Sequence, residues 1–282
     1  MQAPLASILI NNYNNGRFLR SCIDSALNQT YENTEVVIYD DESHDESIEI
    51  LKSYAPECKV IYGKAPTRRH PHNQVNAVNQ AFAQCKGDYI FLLDGDDQFL
   101  PHKLETLIKA FIEHDSDFIQ TPTYTIDQNG KRRGVIKRSR IHVDNLRQAV
   151  CEDGFAAHTY MTCSLAFSRR MLDEVMPVEF PDRTFFRIDS YLGTVAIAGY
   201  KSLTLDEPLS LKTVHGSNRS LFWKNPFNTV QGHAEKTKLF NRYSPQRISA
   251  ARTRIALLRY FASTVLNRFL VKLKIKKPKS QD

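Results

Sequence analysis

The sequence lacks any Cys-x-x-Cys pair. Its five cysteines, Cys22, Cys58, Cys85, Cys151 and Cys163, are odd in number and widely spaced. That distribution excludes a zinc site built on paired thiols and a disulfide framework, and it is the pattern of reduced thiols in a cytosolic protein. Met1 is followed by Gln2-Ala3-Pro4 and a short apolar run with no basic segment before it, so no secretory leader is expected. No uncharged apolar stretch reaches the roughly 20 residues that a bilayer-spanning helix needs. Internal repeats are missing too. Acids are scarce at the C-terminal end: after Phe240 the only one is Asp282, against Arg242, Arg247, Arg252, Arg254, Arg259, Arg268, Lys272, Lys274, Lys276, Lys277 and Lys279. The net charge of +7 is therefore a property of this tail, and the body before it is close to neutral.

What is present is a chain of 282 residues, 41% hydrophobic, which fits one large α/β domain with a helical appendage. Leu5 to Ile10 is a short apolar run that ends in Asn11-Asn12-Tyr13-Asn14-Asn15-Gly16, a buried strand leading into a turn-rich loop. Phe18, Leu19, Cys22, Ile23, Ala26 and Leu27 recur at helical spacing. Glu35 to Tyr39 is a second strand, stopping at Asp40-Asp41-Glu42-Ser43, and Asp45 is placed to cap the helix after it. Val60 to Tyr62 is a third strand, and a helix over Val75 to Cys85 ends at Lys86-Gly87. Tyr89 to Leu93 is the fourth and most apolar strand, closing on Asp94-Gly95-Asp96-Asp97. This alternation requires crossovers and a mostly parallel central sheet flanked by helices, a Rossmann-like α/β arrangement. Ligands of such sheets bind beyond the carboxyl ends of the strands, where the Asn11, Asp40-Asp41 and Asp94 loops must converge.

Further along, Leu104 to Ile112 reads as a helix. Phe118 to Tyr124 and Lys131 to Ile136 read as strands around an Asn129-Gly130 turn. Arg138 to Cys151 and Tyr191 to Ala198 read as helices, with a strand over Ser202 to Leu205. An Asp-x-Asp pair by itself is more often a solvated turn than a site. Here three aspartates crowd the end of an apolar strand, beside a second acidic strand end. Such carboxylates raise one another's pKa unless a cation compensates them. Mg²⁺ suits the task, because it takes one or two carboxylates and completes its shell with substrate phosphates and water.

Four stretches, taken in order, resemble the family 2 glycosyltransferases with the A-type nucleotide-sugar-binding fold: Ser7 to Asn14; Val37 to Ser43 with Asp45; Gly87 to Asp97; and Ile188-Asp189 with His215-Gly216-Ser217-Asn218. The resemblance covers roughly residues 5 to 220. It implies a catalytic domain over 1–225, with its donor half in 1–100 and its acceptor half in 101–225, and a basic helical extension over 226–282. It further implies a donor site at Asn11, Tyr13, Asn14, Asp41 and Asp94, with Mn²⁺ or Mg²⁺ held by Asp96 and His215. By the same likeness Asp189 is the general base, a role compatible with the plainer one of capping a helix that starts at Ser190. A UDP-sugar is the favoured donor, and the acceptor is a saccharide or lipid-linked hydroxyl. The sequence departs from the family at Ala77-Val78-Asn79, where many members carry Ala-Arg-Asn. Arg68, Arg69, His70 or His72 are the nearby candidates to supply that charge, and Arg219 is a further phosphate-binding candidate.

Ile255, Leu258, Phe261, Ala262, Val265, Leu266, Phe269, Leu270 and Leu273, with basic residues between them, form an amphipathic pattern. It suits either packing on the body or peripheral contact with the inner face of a membrane. A nucleotidyltransferase would need a glycine-rich phosphate loop after the first strand, which Asn11 to Gly16 does not offer. A nucleic-acid-binding or scaffold role would use the tail but leave the aspartates unexplained, so no nucleic-acid partner is expected.

Overall fold

The computed structural model describes residues 3–64, 70–137, 146–154, 159–180, 186–216 and 226–259. Its first part alternates strand and helix as the hydrophobic pattern requires: β1 (Ala6–Asn12), α1 (Gly16–Leu27), β2 (Thr34–Asp40), α2 (Ser47–Tyr54), β3 (Lys59–Tyr62), α3 (His70–Phe82) and β4 (Tyr89–Asp94). Then come β5 (Gln98–Phe99), α4 (Lys103–His114), β6 (Phe118–Gln120), β7 (Thr123–Asp127), β8 (Arg132–Ile136) and α5 (Leu146–Asp153). The remainder is β9 (Leu165–Ser168), α6 (Arg169–Val175), α7 (Ile188–Gly199), β10 (Ser202–Thr204), β11 (Ser210–Val214) and α8 (Pro226–Tyr243).

Seven strands form the main sheet in the order β10-β6-β9-β4-β1-β2-β3, all parallel except β9, which runs antiparallel to both β4 and β6. The central strands are apolar on both faces because helices cover both. Ile8, Ile10, Val36, Ile38, Phe91 and Leu93 pack into one layer with residues of α1, α2 and α4. Leu9, Val37, Leu92 and Phe167 face the other, built from α3, α5, α6, α7 and α8. A second sheet, β5-β11-β7-β8, carries the end of β11 to the turn after β4, where the Thr213 amide donates to Asp97.

Several boundaries differ from the sequence reading, each for a physical reason. Residues 118–124 are not one strand. The chain breaks at Thr121-Pro122, where a proline cannot donate into a ladder, and passes from β6 in the main sheet to β7 in the small one. The β7–β8 hairpin turns at Asn129-Gly130 as expected, with Gly130 at φ +80°. Helix α3 begins at His70 and not at Val75, since Pro71 suits a first helical turn. Neither β9 nor β11 was legible as a strand.

Helix α8 packs on α7, and Leu239, Phe240 and Ile248 join the same core as Leu9 and Leu92. Arg252 donates to the Cys151 carbonyl at 3.0 Å. The start of the expected C-terminal extension thus shares the core of the body. Residues 250–259 are helical, with Ile255 and Leu258 exposed. Most of the expected amphipathic stretch, from residue 260 on, lies outside the described residues, as does residues 138–145 of the expected helix before Cys151. All five cysteines are buried and unbridged. No helix among the described residues is long and apolar enough to cross a membrane.

Lys103 brings an amine into this core. It opens α4, is fully buried, and donates to the Cys163 carbonyl at 2.8 Å and to Ser210 Oγ at 2.9 Å. Its ammonium also lies 4.5 Å from the centre of the Phe99 ring. Burial pushes its pKa from 10.5 down to about 7. The folded state thus disfavours the charged form. That penalty is complete below about pH 7 and fades as the pH rises toward 10.5. Chemical unfolding of wild type and Lys103→Met across this range should show wild type gaining on the variant as the pH rises, by at most ~1.4 kcal/mol per pH unit. A pH-independent difference would refute a buried, pKa-depressed lysine.

Candidate active site

Parallel pairing brings the ends of β1, β2 and β4 to one edge in register: Asn11 lies opposite Tyr39 and Asp94, and Asn12 opposite Asp40. The loops after β1 and β2 are then zipped together by side chains. Asn12 Nδ2 donates to Asp40 Oδ2 at 2.7 Å, and Asp40 Oδ1 accepts from the Ser43 amide at 2.8 Å. Ser43 Oγ accepts from the Asn14 amide, and Asn14 Oδ1 accepts from the His44 amide, both at 2.8 Å. Asn14 itself sits at φ +53°, a left-handed conformation that asparagine tolerates. Asp45 is not the expected N-cap of α2, which is Glu46; from one residue earlier it accepts from the Ser47 amide at 3.0 Å and from the Gly16 amide, at the start of α1, at 2.8 Å.

On this zipped frame Asp41 is held by its backbone amide, which donates to the Asn12 carbonyl at 2.9 Å, while Tyr13 is exposed. Asn14 is committed to the loop through its amide oxygen. Asn11 Nδ2 donates to Asp94 Oδ1 at 2.7 Å. Gly95 makes the close approach possible, because a β-carbon there would come 2.5 Å from Asn12 Oδ1. The Asp94 turn therefore rests directly on the first loop.

The three aspartates part company. Asp94 pairs with Asn11. Asp96 Oδ2 lies 2.9 Å from His215 Nε2, just past the end of β11. The His215 ring is stacked on Phe18 at 4.7 Å and lines an open cleft of about 440 Å³ with Asn14, Arg17, Phe18 and Asp45. Asp97, fully buried, accepts from the Thr213 amide at 3.0 Å and has Lys212 Nζ 3.5 Å from its Oδ2. Yet carboxylate oxygens of all three come within 4.8 Å of one another.

Their electrostatics differ accordingly. Burial, reinforced by the Asp96 charge, raises the Asp94 pKa against the pull of Lys212, Asn11 and Arg187. Burial works on Asp96 in the same direction but is outweighed by the His215 hydrogen bond and the Lys212 charge, so its pKa is lowered. Asp97 is raised by burial, with Lys212 opposing and Asp96 and Asp94 adding to the rise. Burial would lower Lys212, but the charges of Asp97 and Asp96 overcome it and raise its pKa.

The donor set fits a divalent ion. One ionised carboxylate and one imidazole converge, with further carboxylate oxygen close by, and hard oxygen with a single nitrogen is chemistry that Mn²⁺ accepts readily and Mg²⁺ tolerates.

Asp189 lies in the first turn of α7, whose N-cap is Arg187. It is therefore inside the helix and does not cap it, and its Oδ1 accepts from the Ser190 amide at 2.7 Å. The Arg187 charge helps to hold down the Asp94 pKa, so the start of α7 lies within electrostatic range of that carboxylate. Val78, where the family carries arginine, is buried in the core, while Asn79 exchanges two hydrogen bonds with the Val178 backbone at 2.8 and 2.9 Å. His72 meets the Phe180 ring edge-on at 6.5 Å; Arg68, Arg69 and Arg219 lie outside the described residues. The sequence reading missed Asn12, Phe18, Arg187 and Lys212. Only Asn12 had a signal, its place in the Asn-rich loop.

The family model for glycosyl transferase family 2 matches residues 7–176, more than half of the chain. An uncharacterized glycosyltransferase of Nostoc sp. is 28% identical over 76% of this chain and 66% of its own length. The hyaluronan synthase of Pasteurella multocida is 35% identical over 45% of this chain, which spans only 13% of that protein. Among solved structures, S. aureus TarS 1-349 in complex with UDP-GlcNAc superposes with a TM-score of 0.63 at 17% identity, over 85% of this chain and 71% of that one. The mannosyltransferase PcManGT of Pyrobaculum calidifontis, in complex with GDP-Man and Mn²⁺, gives 0.62 at 18% identity, over 99% and 82%. A parallel sheet whose strand ends gather Asn11, Asp41 and Asp94, set beside a family match of this extent, makes the chain a member of glycosyl transferase family 2 with the glycosyltransferase A-type fold.

Proposed function

We propose that the protein transfers a sugar from a nucleoside-diphosphate sugar to an acceptor hydroxyl, with inversion at the anomeric carbon and with Mn²⁺ or Mg²⁺ as cofactor. The observation that carries this reading is the Asp96–His215 contact beside the Asn11–Asp94 pair, at the carboxyl edge of a parallel sheet. Asn11, Tyr13, Asn14 and Asp41 line the loops that would receive the nucleobase, and Asp94 the ribose. Asp96 and His215 would hold the metal, which when bound neutralises charge building on the departing diphosphate. TarS with UDP-GlcNAc and PcManGT with GDP-Man support a nucleotide-sugar donor, and we favour UDP.

Asp189 then takes the proton of the acceptor hydroxyl. The hydroxyl oxygen bonds to the anomeric carbon as the bond from that carbon to the diphosphate oxygen breaks, and the nucleoside diphosphate leaves with the electron pair. A single displacement of this kind inverts the centre. The likeness to hyaluronan synthase supports a polysaccharide or glycolipid product. A cytoplasmic enzyme, touching the inner face of the membrane through its basic C-terminal residues, would meet such acceptors.

Two measurements test the reading. In a thermal-shift screen, one nucleoside diphosphate with Mn²⁺ should stabilise wild type by about 2.7 kcal/mol at 100 times its dissociation constant, and Asp96→Ala should lose the metal-dependent part. Stabilisation that survives in Asp96→Ala undamaged would remove Asp96 from the site. Asp189→Asn should keep that stabilisation but lose on the order of 10²-fold or more in turnover. Turnover within a few-fold of wild type would sink the assignment of Asp189 as base.

A further inference from the structure

Lys212 has no part in the roles above, yet the fold goes to some length to bring it to the carboxylates. Strand β11 is fixed by parallel pairing to β7, with Lys212 opposite Thr125, and by antiparallel pairing to β5. From this one strand end the chain delivers two groups to the same Asp-Gly-Asp-Asp turn. His215 meets Asp96 at 2.9 Å, and three residues earlier Lys212 lies 3.5 Å from Asp97, whose other oxygen is taken by the Thr213 amide. The Lys212 side chain is 19% exposed and that of Asp97 is fully buried. A sequestered ammonium is costly unless paired, and Lys212 is paired here within reach of the two other aspartates as well.

We infer that Asp97 is a positioning residue for the metal side of the site: it neutralises the charge of Lys212, 3.5 Å away, so that Asp96 and His215 can bind a divalent ion. This rests on the reading of Asp96 and His215 as metal ligands. Asp97 is then not a ligand. It anchors β11 through Thr213 and screens the metal position from Lys212. Without the Asp97 charge, Lys212 stands as an uncompensated cation beside Asp96 and repels the incoming ion.

The test is Mn²⁺ affinity followed by electron paramagnetic resonance, for the free protein and again with the nucleoside diphosphate that stabilises it, since a divalent ion completes its shell on substrate phosphate. Asp97→Asn should bind Mn²⁺ about tenfold or more weaker than wild type, since an unpaired like charge a few ångströms away is worth at least that at a protein surface. The double variant Asp97→Asn with Lys212→Met, which removes the repelling cation together with its partner, should recover most of the wild-type affinity. Unchanged affinity in Asp97→Asn overturns the inference. So does a double variant as weak as the single one, which would make Asp97 itself a ligand or a purely structural support. Wild type that takes up no Mn²⁺ in either state overturns the metal reading of Asp96 and His215 and this inference with it, an outcome distinct from the other two.

Discussion

Like charges placed at one strand end repel, and the surroundings of Asp94, Asp96 and Asp97 are arranged around that repulsion. With carboxylate oxygens within 4.8 Å of one another and little water around them, no two of these groups can ionise independently. The fold answers by giving each a different partner from a different element. Asn11 of β1 serves Asp94, His215 beyond β11 serves Asp96, and Lys212 of β11 serves Asp97. Only Asp96 has its pKa lowered, and only there does an imidazole converge with the carboxylate. A cluster that looks uniform in sequence is thus divided by its partners into a group paired with an amide, a group paired with an imidazole and a buried, ion-paired anchor.

The same division runs through the first two loops. Asn12, Asp40, Ser43 and Asp45 are absorbed in hydrogen bonds between the loops and to the amides that begin α1 and α2. Their neighbours Asn11 and Asp41 ride on that frame. A polar loop built this way loses little further conformational freedom when a nucleotide arrives, because its ordering cost is met in folding. The dense Asn and Asp content is therefore as much scaffold as binding surface.

The parallel sheet and the polar edge at its strand ends were legible because they are local. Each strand from β1 to β4 is a short apolar run ended by a polar cluster, and the crossover rule does the rest. The helix that carries Asp189 was legible in its own run, but Asp189 and His215 themselves were singled out only through family likeness, since nothing local marks them. Strand β11 was invisible for a physical reason: its fully buried positions are Ser210 and Thr213, whose partners come from Lys103, Cys163 and Asp97. Without hydrophobic alternation a strand leaves no period to read. The antiparallel β9 between two parallel neighbours was missed because pairing direction leaves no mark in a four-residue run. Lys212 followed β11 into obscurity, and a lysine in sequence reads as a solvated charge until a buried acid is found beside it.

The missing arginine at position 78 takes on a different meaning against this background. Val78 is 1% exposed within the core that α3 shares with α7 and α8, so an arginine there would have to leave that core or bury its charge. The family's usual cation on α3 is therefore not merely substituted in this chain; its place has been turned over to packing. Positive charge reaches the carboxylate edge from elsewhere, from Arg187 at the start of α7 and from Lys212 on β11, both of which act on Asp94. Arg187 stands two residues before Asp189, so the element that offers the proposed base also brings a cation toward the donor's side of the site. Moving the charge from α3 to α7 places the cation and the proposed base on a single helix start. A change in the packing of α7 would then be felt by both.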